Sequence, residues 1–268
     1  MDKRILAVLV FITALFAVAF AGCTGTENGS DQPVDVIVEE KIVSVVVGID
    51  GEYPPYSFID SDGNAQGFDV DSVKWIADKK GFEVEIKPMA WDSIIPSLIA
   101  GKIDMVYSGM TITPDRLEKV NFSKPYWIAN QGVAVKKGSE ITLDDIKSGK
   151  AVIGTQAGCT AAEWISEYLV DTGIMPEENL KQSYSSIALA ITDLENGRVD
   201  AVMYDTPVII ESIKGKDLEK LGTIETNEEY GVAIRKTDVL LLETMNEGID
   251  ELMADPYWQE LIDKYDLA

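Results

Sequence analysis

Apolar and polar positions alternate along this chain with the periods of a parallel α/β fold. An apolar run predicts a strand over residues 45–49, and a helical pattern over 69–80 ends at Gly81. A strand over 83–87 follows. Further along the chain, the pattern predicts helices over 93–100, 143–147, 161–170 and 187–196, and strands over 103–107, 132–136, 151–154, 199–204 and 231–235. Near the C-terminus, Leu241, Met245, Ile249 and Leu252 form one helical stripe.

One short phrase occurs twice in this pattern. Gly-Lys-Ile-Asp-Met-Val at 101–106 returns as Gly-Arg-Val-Asp-Ala-Val at 197–202, and each copy ends a helix, opens a buried strand and leads to a polar loop. Two such units predict two β-α-β-α-β lobes with a ligand cleft at the carboxyl ends of their strands. We expect a large lobe from 42–126 plus 230–268, a small lobe from 127–229, and hinge strands near 126–130 and 226–230.

The N-terminal residues have the pattern of an export signal. A basic start at Lys3 and Arg4 precedes an apolar stretch over 5–21, and small residues then lead to Cys23. This pattern predicts a lipoprotein-type signal peptide over 1–22, a lipid anchor on Cys23 and a flexible tether over 23–41. The alternative is that the stretch stays as a transmembrane anchor. Either way, the remaining chain is expected outside the cytoplasm, at the outer face of the cell membrane.

Charge and composition exclude several function classes. The chain has 46 acidic and 23 basic residues and a net charge of -23, which repels nucleic acid. It has no histidine and two cysteines, so His-dependent nucleophilic catalysis and ordinary zinc sites are excluded. With Cys23 assigned to the anchor, Cys159 is expected to be a packed thiol. We expect no metal, no cofactor and no enzymatic activity.

The loop over residues 108–116 carries the most informative chemistry. A buried strand ends there, two Thr hydroxyls and free backbone amides follow, and a helical turn begins near Pro114. Arg116 could hold a carboxylate through two parallel hydrogen bonds. The alternative is that Arg116 forms a surface ion pair with Asp115 or Glu118.

A series of motifs in a fixed order makes the chain similar to a known family. From about residue 43 to the C-terminus it resembles the polar amino-acid-binding proteins of ABC importers, the family-3 extracellular solute-binding proteins, and most of all their glutamine-binding members. The motifs are Gly48-Ile49-Asp50, Tyr53-Pro54-Pro55-Tyr56-Ser57-Phe58, Gly67-Phe68-Asp69-Val70-Asp71, Trp91-Asp92, Ile95-Pro96-Ser97-Leu98, Gly101-Lys102-Ile103-Asp104, Thr111-Ile112-Thr113-Pro114-Asp115-Arg116, Asn121-Phe122-Ser123-Lys124-Pro125-Tyr126 and Tyr204-Asp205-Thr206-Pro207.

The resemblance implies a site for the two charges that every amino acid carries. Arg116, the Thr111 amide and a backbone N–H at Thr160 would bind the α-carboxylate. Asp205 would bind the α-ammonium, together with the Gly109 carbonyl and the Thr111 hydroxyl. Both charges would then be desolvated and hydrogen-bonded, as buried charges must be.

The resemblance also implies a pocket for the ligand side chain. Tyr53 and Trp91 would enclose the side chain, and Asp50 would bond to its polar end. Gln156 and Tyr204 stand where the glutamine-binding members have Lys and His, so an acidic ligand is disfavoured and a polar uncharged or basic one is expected. The predicted ligand contacts are Asp50, Tyr53, Trp91, Gly109, Met110, Thr111, Arg116, Gln156, Thr160 and Asp205.

Three functions follow from the resemblance. The leading one is binding of an L-amino acid by cleft closure in a monomeric receptor, which delivers it to the permease subunits of an ABC importer. A cyclohexadienyl-type dehydratase on the same scaffold and a sensory ligand-binding subunit are the alternatives. Within the motifs, Asp69 and Asp71 are expected to cap their helix, and Trp91 could instead belong to the core.

Overall fold

The structure is a computed structural model that describes residues 41–267. The predicted signal peptide, Cys23 and the tether as far as residue 40 lie outside the described residues. The strands are β1 (Ser44–Ile49), β2 (Glu52–Tyr53), β3 (Ser57–Ile59), β4 (Ala65–Gln66), β5 (Glu83–Pro88), β6 (Met105–Val106), β7 (Asn121–Phe122), β8 (Trp127–Lys136), β9 (Ile153–Gln156), β10 (Leu180–Tyr184), β11 (Ala201–Asp205), β12 (Leu218–Tyr230) and β13 (Ala233–Ile234).

Helices occur where the sequence pattern predicts them, and two more, which the pattern did not predict, lie over residues 206–212 and 256–264. The helices are α1 (Phe68–Lys80), α2 (Ile94–Ile99), α3 (Pro114–Leu117), α4 (Leu143–Lys147), α5 (Thr160–Ile165), α6 (Ile187–Glu195), α7 (Thr206–Ser212), α8 (Val239–Ala254) and α9 (Pro256–Lys264). Between residues 41 and 267, no helix has the length and apolar character needed to cross a membrane.

Two five-stranded sheets repeat one topology. The first has the order β5-β1-β6-β13-β7 and the second has the order β10-β9-β11-β8-β12. In each sheet the first three strands are parallel and the fourth is antiparallel to the third. The strands β2, β3 and β4 form a small antiparallel sheet between the predicted strand over 45–49 and the predicted helix over 69–80, where the hydrophobic pattern predicts no strand. The predicted α/β fold with two parallel-rich lobes is confirmed by this arrangement.

The repeated phrase performs the same structural task in each sheet. Its glycines end α2 and α6 with φ of 70° and 71°, a conformation that costs little only for glycine. Its aspartates then accept hydrogen bonds from backbone amides, one within β1 and the other directly before β9. Asp104 Oδ2 accepts from Val46 N at 2.9 Å, and Asp200 Oδ2 accepts from Val152 N at 2.8 Å. The phrase therefore fixes where β6 meets β1 in the first sheet and where β11 meets β9 in the second.

The chain passes between the two sheets along one antiparallel pair. It leaves the first sheet after β7 to enter β8, and it returns from β12 to β13. β8 and β12 pair with a register shift between Ile224 and Glu228. At this shift Asn130 Oδ1 accepts from Thr226 N at 2.9 Å and from Asn227 N at 2.8 Å. The exact lobe boundaries and the hinge motion of these segments stay predictions.

Several local expectations are confirmed and others are corrected. The four-residue stripe of α8 is buried, and α4 spans the predicted residues 143–147, with Thr142 as its N-cap. Neither Asp69 nor Asp71 caps α1, because α1 begins after Gly67, whose φ is 126° and whose added Cβ would lie 2.1 Å from a backbone oxygen. The strand expected over 103–107 is only two residues long, and the helix expected over 161–170 changes to a π turn at Ser166–Val170.

Candidate functional site

The polar loops that follow the parallel strands of both sheets meet around one small cavity. The first sheet contributes the loop after β6 and the second contributes the residues that follow β9 and β11. The cavity measures about 10 Å³, the space of roughly one water molecule. Its lining residues are Tyr53, Trp91, Gly109, Thr111, Arg116, Cys159, Thr160, Tyr204 and Asp205.

Arg116 supplies the positive charge of this cavity. Thr113 caps the short helix α3 by accepting from Arg116 N, and Pro114 begins the helix. The Arg116 side chain points inward, and the residue is only 6 % exposed. Its guanidinium donates to the Thr111 carbonyl at 2.8 Å and to the Gly158 carbonyl at 3.2 Å. The alternative of a surface ion pair is therefore wrong, and the charge faces neutral oxygens that a carboxylate could replace as partners.

Asp205 supplies a negative charge on the opposite sheet. It ends β11 directly before α7 and is 7 % exposed. Its Oδ2 accepts from Tyr53 Oη at 2.7 Å, and its Oδ1 accepts from Gln131 Nε2 at 2.8 Å. Burial, and secondly the nearby charge of Glu228, raise the pKa of Asp205 to about 7. A cation placed beside Asp205 would favour its ionised form.

Glu228 is a second carboxylate, which lies behind the cavity wall and contacts the lining residues Thr111 and Thr160. It lies on β12, half-buried, and four side chains donate to it. Gln131 Nε2 lies 2.7 Å from Oε1, and the Thr111 and Thr160 hydroxyls lie 2.8 Å and 2.5 Å from Oε2. The Thr226 hydroxyl completes the set at 2.9 Å from Oε1. The two carboxylates, Asp205 and Glu228, therefore share Gln131 as a donor.

Asp50 and Gln156 form a separate polar contact between the sheets. Gln156 Nε2 donates to Asp50 Oδ2 at 2.9 Å, and Gln156 Oε1 accepts a short hydrogen bond from Tyr204 Oη. Burial raises the pKa of Asp50, although its hydrogen bonds oppose this. Asp50 and Gln156 do not line the small cavity, so their contact with a ligand stays a prediction.

Three aromatic side chains line the cavity, namely Tyr53, Trp91 and, from β11 of the second sheet, Tyr204. The rings of Tyr53 and Tyr56 stack at 5.3 Å, and Tyr53 meets Tyr204 edge-on at 5.8 Å. The backbone at Gly109 has φ of 52° and passes so close to Tyr53 that an added Cβ would lie 2.6 Å from Tyr53 Oη. The indole of Trp91 packs 5.5 Å from the Arg116 guanidinium and donates to the Gly158 carbonyl at 3.0 Å.

Comparison with known proteins identifies the family. The profile of the bacterial extracellular solute-binding proteins, family 3, matches residues 45–267. The chain belongs to this family. It is 31 % identical over 270 residues to a probable histidine-binding protein of Neisseria gonorrhoeae, covering 99 % of this chain and 96 % of the relative. It is 31 % identical over 259 residues to the L-cystine-binding protein TcyJ of Escherichia coli K12, covering 95 % and 94 %.

A solved structure supports the same fold for this family-3 solute-binding protein. An ancestral arginine-binding protein bound to arginine superposes with a TM-score of 0.75 at 36 % identity, covering 83 % of this chain and 97 % of that one. The predicted family and the two-lobed binding-protein fold are therefore confirmed. The relatives named above are all binding proteins.

The structure brings together most of the predicted ligand contacts of this solute-binding protein. Seven of the ten line the cavity, namely Tyr53, Trp91, Gly109, Thr111, Arg116, Thr160 and Asp205. Met110 does not, because its side chain lies in the core of the first lobe with Ile94 and Leu98. Trp91 was expected either at the ligand site or in the core, and its side chain both lines the cavity and packs against this core.

One further residue of the cavity wall has more than its expected role, and two residues that bond to the wall were not expected. Cys159 is buried as a packed thiol, and burial raises its pKa to about 12, but its Sγ also caps α5 and reaches the cavity wall. Gln131 and Glu228 were missed. Their only signal in the sequence was their position in or beside the segments expected to act as hinges, where polar residues ordinarily face solvent.

Proposed function

We propose that this protein binds an L-amino acid between its two lobes and delivers it to an ABC importer. The observation that carries the proposal is a single cavity lined by one buried cation, Arg116, and one buried anion, Asp205. Two fixed and opposite charges complement the carboxylate and ammonium of a zwitterion. Aromatic walls beside them would exclude water and strengthen both interactions.

The roles of the individual groups follow from their chemistry. Arg116 would bind the α-carboxylate together with backbone amides of Thr111 and Thr160. Asp205 would bind the α-ammonium, with the Gly109 carbonyl and the Thr111 hydroxyl as further acceptors. Tyr53 already donates to Asp205, so the ammonium would replace or join this hydrogen bond.

The ligand side chain would extend toward Asp50. Gln156 and Tyr204 add neutral hydrogen-bonding groups beside this carboxylate, so the pocket suits a polar uncharged or a basic side chain. The relatives named for histidine and L-cystine, and the arginine complex, fall in this range of ligands.

Binding requires the lobes to separate and close again. A cavity of 10 Å³ is far below the roughly 300 Å³ or more of ordinary ligand pockets. Contacts between the lobes, such as Asp50 with Gln156 and Trp91 with Gly158, would open first and re-form around the ligand. A ligand that touches both lobes would stabilise the closed form, which the permease would recognise.

The remaining parts of the proposal concern location. Lipidation of Cys23 would hold a monomeric receptor at the outer face of the cell membrane, with residues 24–41 as a tether. Mass spectrometry of the membrane fraction would detect the lipid, and a Cys23→Ser variant should be released into the soluble fraction.

A thermal-shift screen of the purified chain against the twenty common L-amino acids tests the proposed function. A ligand at one hundred times its Kd stabilises the folded chain by about 2.7 kcal/mol, which raises Tm by several degrees. Lys102→Ala, an exposed change outside the cavity, should give the same shifts. No shift with any amino acid contradicts the proposal, and turnover of a cyclic acid such as prephenate would favour the dehydratase alternative.

A further inference from the structure

The backbone of β12 turns one glutamate toward the cavity. The register shift against β8 falls directly before Glu228, and Asn227 adopts a positive φ of 51° there. Asn130 holds this irregular backbone by accepting from two successive amides. The neighbours Glu225 and Glu229 are exposed, whereas Glu228 is half-buried. The local distortion is therefore built so that one acidic residue of the strand points inward.

Glu228 collects hydroxyl groups from both lobes. Thr111 follows β6 in the first lobe, and Thr160 begins α5 in the second. Both hydroxyls donate to the same carboxylate oxygen, at 2.8 Å and 2.5 Å. A carboxylate can only accept hydrogen bonds, so each hydroxyl must use its one hydrogen to donate to Glu228. The lone pairs that remain on Thr111 and Thr160 can then only accept hydrogen bonds.

This orientation matters for an ammonium ligand. An ammonium group has donors only, whereas a free threonine hydroxyl can rotate to donate or accept. We propose that Glu228 is a positioning residue that makes the cavity selective for an α-ammonium, by fixing the Thr111 and Thr160 hydroxyls as acceptors and by adding a second negative charge beside Asp205. This inference rests on the proposed amino-acid binding, which assigns the α-ammonium to Asp205.

Gln131 links the carboxylates of Asp205 and Glu228. Its Nε2 donates to Asp205 Oδ1 at 2.8 Å and to Glu228 Oε1 at 2.7 Å, so both carboxylates are held within one hydrogen-bonded group. Glu228 is the charged neighbour that raises the pKa of Asp205. Asp205 also interacts electrostatically or by hydrogen bonds with the titratable groups of Tyr53, Tyr56, Tyr204, Tyr230 and Cys159, and Arg116 lies across the cavity.

Glu228→Gln reverses this polarity with almost no change in size. The amide group introduced would donate, so a threonine hydroxyl would accept from it and turn its own proton toward the ligand. We expect the affinity for the L-amino acid to fall by about tenfold to one hundredfold, the range for a lost charge-assisted hydrogen bond. Glu229→Gln is the matched control, because it removes the same charge from the exposed neighbour and should change affinity less than twofold.

Calorimetric titration with paired ligands separates ammonium recognition from general damage. The probes are L-arginine, L-glutamine and L-histidine, each beside its des-amino analogue: 5-guanidinopentanoate, 4-carbamoylbutanoate and 3-(imidazol-4-yl)propanoate. The wild-type chain should prefer the amino acid, and Glu228→Gln should lower this preference at least tenfold while the affinity for the analogue changes little. The acid limit of binding, which is the pH below which the affinity for the amino acid declines, should also be lower in Glu228→Gln. The reason is that the pKa of Asp205 falls when its negative neighbour is removed.

A second variant guards against misfolding. Thr111→Val removes the hydroxyl at constant shape, and the double variant Thr111→Val/Glu228→Gln should lose much less than the sum of the single losses. If the wild-type chain binds amino acids but Glu228→Gln keeps their preference over the des-amino analogues, or keeps the same acid limit, the inference is wrong and the proposed function stands. If neither the thermal-shift screen nor the titrations detect binding of any amino acid to the wild-type chain, both are wrong.

Discussion

The buried carboxyl of Asp205 predicts that ligand binding depends on pH. Its pKa of about 7 lies well above the ordinary 3.8 because burial and the charge of Glu228 disfavour the ionised form. A bound ammonium would favour ionisation, so the pKa of Asp205 falls in the complex and binding releases a proton. Affinity should therefore be fully present above pH 8 and decline as pH falls below 7.

The size of this effect follows from the fraction of ionised Asp205. About nine tenths of the free protein is ionised at pH 8 and about one tenth at pH 6. The apparent affinity should thus fall about tenfold between these values, equivalent to about 1.4 kcal/mol. At pH 7 each binding event should release about half a proton.

Titration calorimetry in two buffers of different ionisation enthalpy measures both the affinity and the proton count. Asp205→Asn should bind more than one hundredfold more weakly at pH 8, since the buried ammonium loses its charged partner, and its residual affinity should not vary between pH 6 and 8. Asp71→Asn is the control, because Asp71 pairs with Lys264 on α9 outside the cavity. A wild-type affinity that is constant between pH 6 and 8, or an unchanged pH slope in Asp205→Asn, would refute the reasoning.

Two further changes test the surroundings of the site. Gly109→Ala should weaken binding at least tenfold because its Cβ would displace Tyr53, whereas Gly101→Ala, with a similar positive φ and no atom within 4 Å, should lower only the free energy of unfolding. Urea unfolding and calorimetry on both variants make this comparison. Burial raises the pKa of Asp69 to about 8, so the free energy of unfolding should fall as pH rises from 4 to 8, by up to about 1.4 kcal/mol per pH unit. Asp69→Asn should flatten this dependence, and an unchanged slope would contradict the assignment.

The scaffold could be predicted from local patterns because its elements obey local rules. α4 is bounded by a cap and α1 by a glycine stop, and both were predicted within a residue or two. The repeated phrase predicted two similar lobes because the same glycine and aspartate form this helix–strand connection in both of them. Such features depend on a few neighbouring residues.

The site could be predicted only where a motif carried it. The family motifs led to Arg116 and Asp205, which both line the cavity. Gln131 and Glu228 belong to no motif, and their inward direction depends on pairing between strands about one hundred residues apart. Met110 shows the opposite error, since a residue between two site residues can point into the core. Side-chain direction at such places is decided by tertiary packing.

The central claim is that Arg116 and Asp205 bind the two charges of a free amino acid. Titration calorimetry of the wild-type chain and of Arg116→Ala, with each L-amino acid that raises Tm, tests this claim most directly. The account predicts saturable one-to-one binding to the wild-type chain and a loss of more than one hundredfold in Arg116→Ala, whose ligand carboxylate would lack a charged partner. Equal affinities in the two proteins, or no binding of any amino acid to the wild-type chain, would contradict it.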